Sequence, residues 1–147
     1  DAAVVRRLAA SPGRKIICGG TTANIACRVL GVEAEPMLES VGDDGIPPTA
    51  MLPGIGLVTE GVVTMNRAIE HIRVTASARE LPPRKDGATE LARALMEADH
   101  VRLMVGGAIN PMQIADVIRG RAFRHILVDA LVRELLAKGK VVEVESC

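Results

Sequence analysis

The chain has 147 residues, 18 basic and 18 acidic side chains, and 48% hydrophobic content, enough for one compact domain that buries roughly 68–70% of its unfolded surface. Balanced charge leaves no broad footprint for a phosphate backbone, and Phe123 as the sole aromatic leaves no ring pair to stack a base, so nucleic acid is excluded as the expected partner. No apolar run reaches the ~18 residues of a membrane span and no basic-plus-apolar leader opens the sequence, which excludes a membrane role from the expectation.

Cys18, Cys27 and Cys147 form no C-x-x-C pair and leave an odd count, which suits a reducing compartment, with the cytoplasm as default. A first residue of Asp1 rather than Met reads as a fragment of a longer protein or a processed chain. A basic group at Arg119, Arg121 and Arg124 reads as a solvated helix start.

In chain order, residues 2–10 place Val4, Val5, Leu8 and Ala9 on one helical face, and Ser11-Pro12-Gly13 ends that helix. The stretch 15–31, KIICGGTTANIACRVLG, follows as a short apolar strand, a glycine turn and a helix that Gly31 stops. Residues 32–38 form a weaker strand, which Pro36 assigns to a sheet edge. The next stretch, 39–54, carries four glycine or proline clusters and reads as a surface loop.

Residues 55–58 form another strand, followed by Thr59, Glu60 and Gly61 and by a helix with Val62, Met65, Ala68, Ile69 and Ile72 on one face. A polar connection covers 73–85, and Asp86 is the expected N-cap of the clearest helix, marked by Ala88, Leu91, Ala92, Leu95 and Ala98. Residues 101–105 form a strand running into Gly106 and Gly107, with Asn110 and Pro111 beyond. A last helix at 122–138 stops at Gly139, and VVEVE closes the chain as a strand.

Alternating strands and helices predict an α/β domain spanning 1–147: a three-layer, doubly wound, Rossmann- or flavodoxin-like arrangement with a mostly parallel sheet of about five strands. In such sheets ligands collect at the carboxyl ends of the strands. Three loops stand there: Gly19, Gly20, Thr21, Thr22 and Asn24; Thr59, Glu60 and Gly61; and Gly106, Gly107 and Asn110. Their convergence on a phosphate- or sugar-sized ligand is the main expectation, since glycines admit close approach to backbone amides and the threonines and Asn24 offer polar groups.

Each of these residues also has a plain structural reading. The glycines can serve a tight turn with Thr22 as helix cap, Glu60 can complement a helix dipole, and Asn110 can be a turn residue. GGTTA matches neither the P-loop nor the G-x-G-x-x-G spacing. Cys18 at a strand end is a candidate nucleophile or a small buried hydrophobe. Asp43 and Asp44 read as a turn, and His71, His100 and His125 are too dispersed for a ligand set, so no metal site and no catalytic residue are assigned.

Several stretches share a resemblance: KIICGGTTANIACRVLG, IPP at 46–48, GLVTEGVVTMNRAIEHI, DGATELARALMEADHVRLMVGGAINP and LLAKGKVVEVE. Together, and in this order, they resemble the carboxyl-terminal region of bacterial stage II sporulation protein E-like serine/threonine phosphatases. The resemblance covers most of the chain and departs after Asn110-Pro111, at PMQIADVIRGRAF. It implies an amino-terminal phosphatase domain, absent here, that carries the manganese or magnesium ligands, with no cofactor in this chain.

The combined expectation is a non-catalytic module that binds a small phosphorylated or hydroxylated ligand, or mediates assembly, for such a phosphatase. Two rivals remain open. One is a stand-alone hydrolase or transferase with Glu60 as general base; the other is a structural homodimerisation domain that binds nothing.

Overall fold

The computed structural model describes residues 2–42, 44–107 and 117–147. The first helix, α1 (Ala2–Ala10), ends where the Ser11 hydroxyl donates to the Arg7 carbonyl at 2.8 Å. Strand β1 (Lys15–Cys18) then leads into α2 (Gly20–Leu30). Gly31 terminates α2 in the left-handed region at φ 67°, which glycine adopts without a Cβ penalty.

Two short strands follow, β2 (Glu35–Pro36) and β3 (Ala50–Leu52), and then β4 (Gly56–Thr59) and α3 (Val62–Val74). The second half comprises α4 (Gly87–Glu97), β5 (His100–Val105), α5 (Val117–Ala137) and β6 (Val141–Ser146).

Among the described residues the strands form two sheets, and this corrects the single, mostly parallel five-stranded sheet. One sheet has the order β1-β4-β3-β2, with β1 parallel to β4 and the other pairs antiparallel. The other is the parallel pair β5-β6.

The antiparallel arm arises from a connection too short for a crossover: between Leu52 and Gly56 the chain turns back through Gly54 at φ 83°, and the Ile55 amide donates to the Leu52 carbonyl. The stretch expected as a loop at 39–54 therefore contains β3. Four residues between Pro47-Pro48 and Pro53-Gly54 are too few to display a period. The weak strand expected at 32–38 contracts to Glu35–Pro36, and its proline does lie at the sheet edge.

Alternation along β1 sends its side chains into two cores. Ile17 joins Val5, Ala23, Ala26 and Leu52 beside α1 and α2, while Ile16 and Cys18 pack against a cluster built from α3, α4 and α5, including Ile72, Leu91 and Leu135. Fully burying each such Ile or Leu is worth ~1.5–3 kcal/mol. Alanines with no exposed surface, Ala26, Ala68 and Ala92, let the helices come close. Val101 and Leu103 of β5 and Val142 of β6 pack into that second cluster too, so both sheets share one helical layer.

Candidate functional site: two adjoining strand ends

Parallel pairing of β1 with β4 sets Cys18 opposite Thr59, so the loops that leave these strands start side by side. The Gly19 amide donates to the Thr59 carbonyl at 2.9 Å. A Cβ built on Gly61 would sit 3.6 Å from the Gly19 Cα, so the two loop backbones are in contact. Gly19 itself stands at φ 118°, a conformation that favours glycine and that turns the chain directly into α2.

The helix α2 begins three residues earlier than a Thr22 cap requires. Gly19 is the N-cap, with no side chain bonding back, which overturns the expectation of Thr22 as cap. Thr22 lies in the first helical turn. The Ala23 amide reaches the Gly19 carbonyl at 3.0 Å, so the amides of Gly20, Thr21 and Thr22 precede the first intrahelical bond. Gly20, Thr21, Thr22 and Asn24 are all exposed, and the first turn contains no acidic side chain. This is an open, electropositive helix start.

The helix α3 starts differently. The Glu60 carboxylate accepts from the amides of Val62 at 3.2 Å, Val63 at 3.1 Å and Thr64 at 3.4 Å. It supplies, within the chain, the negative charge that a ligand would otherwise bring. Thr59 is buried, and its hydroxyl donates to the Glu60 carbonyl at 2.9 Å. Of the second loop, Gly61 alone contributes open backbone close to Gly19.

The third loop closes elsewhere. The Gly107 amide donates to the Cys147 carbonyl at 3.1 Å, and the Gly106 carbonyl accepts from Arg124 at 2.7 Å. Asn110 and Pro111 lie outside the described residues, as do the side chains of Arg119 and Arg121. The structure thus brings together two of the three expected loops.

Cys18 stands beneath this corner. Burial pushes its thiol up; a hydrogen bond from Thr59 pulls the other way, and the Glu60 charge adds to the rise. The group is therefore a neutral thiol at neutral pH, a poor nucleophile. The Glu60 carboxylate is already occupied by three amides. What the corner offers is donors.

Asp44, the described member of the acidic pair, accepts from the Ile46 amide at 3.2 Å and pairs with Arg84 at 2.5 Å, as a turn residue does. Asp43 lies outside the described residues. Among the described residues no three His, Cys, Asp or Glu side chains gather to hold a metal ion. No helix among them is long and apolar enough to cross a membrane.

A cavity that the sequence did not signal lies at the opposite, amino ends of β1 and β4. It measures about 320 Å³ and is lined by Lys15 and Gly56 together with Met37, Ser40 and Met51. Its walls come from segments far apart in the chain, so no local spacing marks it.

Compared with known families, curated proteins and solved structures, the chain shows no significant match.

Proposed function

We propose that the chain is a non-catalytic α/β module that binds the phosphoryl or hydroxyl group of a small ligand at the open start of α2. The carrying observation is the contrast between two neighbouring helix starts: Glu60 closes α3, while the amides of Gly20, Thr21 and Thr22 remain exposed without a side-chain cap. Helix starts of that kind suit anions because their amides converge and the dipole adds to the attraction. Thr21, Thr22 and Asn24 would supply further polar contacts.

On this reading the two sheets are halves of one doubly wound, three-layer domain spanning 1–147, held by the shared layer of α3, α4 and α5. The resemblance to stage II sporulation protein E-like phosphatases supplies the context: a cytoplasmic, carboxyl-terminal module whose partner is a metal-dependent serine/threonine phosphatase domain. Chemistry then belongs to that neighbour. The neutral thiol of Cys18 and the committed carboxylate of Glu60 favour this over a stand-alone hydrolase.

Titration of the ¹⁵N-labelled chain with ribose 5-phosphate tests the reading. Saturable shifts centred on the Gly20, Thr21 and Thr22 amides are expected, with no turnover of p-nitrophenyl phosphate with or without manganese. Unmoved amides overturn the binding half, and turnover that Glu60→Gln abolishes in a folded chain overturns the non-catalytic half.

A further inference from the structure

The helix α5 is apolar on two opposite sides. Leu127, Leu131 and Leu135 are buried in the core, yet Ile126 and Leu136 on the outward side are 62% and 55% exposed. Between these two lie Asp129 and Arg133, both exposed, and neither has a salt-bridge partner among the described residues. At roughly 3.6 residues per turn, all four fall within about 40° of the direction opposite Leu131.

Along the helix their order is apolar, acidic, basic, apolar, and it is symmetric in position: Ile126 and Leu136 are equidistant from Leu131, and so are Asp129 and Arg133. Such a face complements its own reverse. We propose that it pairs with the same face of a second copy of this chain, antiparallel about a two-fold axis level with Leu131. Each Ile126 then meets Leu136 of the other copy, and each Asp129 meets Arg133, as an isologous contact requires.

The helix α3, packed beside α5, carries a matching arrangement. Val63 and Val74 are 50% and 78% exposed, Arg67 and Glu70 stand between them, and both pairs are centred between Ala68 and Ile69. Arg67 and Glu70 bond to each other at 3.5 Å, a surface pair that the equivalent pair across the axis can replace. The two centres stand at one level. Arg73 pairs with Glu134 at 3.0 Å, 61 residues on, and Lys138 donates to the Thr75 carbonyl at 2.5 Å, 63 residues back, so the helices run in the same direction and Leu131 lies level with residues 68–70. One axis therefore serves both helices. Scattered apolar residues in water are ordinary, but two adjacent helices with self-complementary faces on a common centre are what a symmetric contact needs.

From Ile126 to Leu136 the face runs roughly 15 Å, and two helices make it roughly 20 Å wide. That is less than the ~800 Å² per partner of a standard interface, so the dimer is weak and reversible. Its charged centre fixes partner and orientation more than affinity. The face lies on the far side of β1 from α2, so the dimer does not rest on the ligand reading and leaves the α2 start open.

Sedimentation velocity on the full chain, from about 10 μM to about 1 mM, brackets a weak Kd and should show a monomer–dimer equilibrium. Asp129→Arg alone and Arg133→Asp alone each set like charges opposite one another twice, and should raise Kd at least about tenfold. The double variant restores the pairing and should recover the dimer; an equal mixture of the two single variants should recover it as a heterodimer. Both positions are exposed, and a circular dichroism spectrum like that of the parent shows that each variant is folded. Val74→Glu should weaken the dimer by way of α3, and indifference to it overturns the shared axis. A chain monomeric throughout, as for a face reserved for another protein, overturns the proposal, as does a dimer that ignores the single variants or a double variant that does not recover. Failure on any of these counts leaves the α2 amides unaffected, so the two readings are judged separately.

Discussion

The starts of α2 and α3 follow two parallel, hydrogen-bonded strands and lie in backbone contact, yet one is open and the other closed. The difference comes down to one side chain. In TEGVVT the residue that follows the strand is a glutamate, which folds back on three amides; in CGGTTAN the residue that follows the paired strand is Gly19, which has no side chain to fold back. The helix α4 marks a third condition, with buried Asp86 accepting from the Thr89 amide at 3.0 Å and its hydroxyl at 2.8 Å. A repeated strand–loop–helix unit is thus not a repeated site. Whether the start is left for a ligand is set by the residue that caps it.

The largest effects should come from breaking the closed starts. Asp86→Ala removes a buried cap and strands the Thr89 hydroxyl, and should cost about 2 kcal/mol in urea unfolding. Burial opposes ionisation of this carboxyl, but the Thr89 amide and hydroxyl outweigh it, aided by Arg84 and His71, and hold it below the usual 3.8. A carboxyl depressed in the folded state adds stability above its unfolded value and loses that addition as pH falls through the folded one. Asp86→Asn should therefore flatten the stability curve below about pH 4, and an unchanged acid limb would show that the cap is not ionic.

Next in size is Thr64, in the first turn of α3, whose buried hydroxyl has no hydrogen-bond partner among the described residues. Thr64→Val keeps the shape and removes that orphan, so the melting temperature should rise, with a gain of about 1 kcal/mol. Glu60→Ala should cost about 1 kcal/mol and, more tellingly, convert α3 into a second open start. Ribose 5-phosphate should then shift the Val62 and Val63 amides in the variant but not in the parent chain.

These expectations rest on features that the sequence showed unequally. The 3.6-residue spacing of Ala88, Leu91, Ala92 and Leu95 and the cap at Asp86 were legible because both are local, and the structure returns them within a residue. The helix α2 was legible for the same reason, down to Gly31 as its stop. The β3 turn-back was not, since a three-residue strand carries no period and its partner is chosen by a turn. The adjacency of the first two loops followed from parallel pairing, which alternation implied; the fate of Gly106 and Gly107 depends on β6 and Arg124, tens of residues away. Even Glu60 was half legible. Its place before a helix signalled a role at the start, whereas its commitment to three amides required coordinates.

The smallest effect is the one that sharpens the comparison most. Thr21→Asp sets a carboxylate in the exposed first turn of α2, where the dipole and the unpaired amides welcome it, so the variant should gain ~0.3–1 kcal/mol rather than lose stability. That same carboxylate would do for α2 what Glu60 does for α3. If the open start is a ligand site, the stabilised chain should no longer shift its Gly20 and Thr22 amides with ribose 5-phosphate, because the new charge repels the phosphoryl group and takes its donors. A gain in stability with binding intact would place the ligand elsewhere, while lost binding in a destabilised chain would say nothing specific to the site. Stability measured by urea unfolding and affinity measured by amide shifts should therefore move in opposite directions, a pairing that general damage to the fold cannot produce.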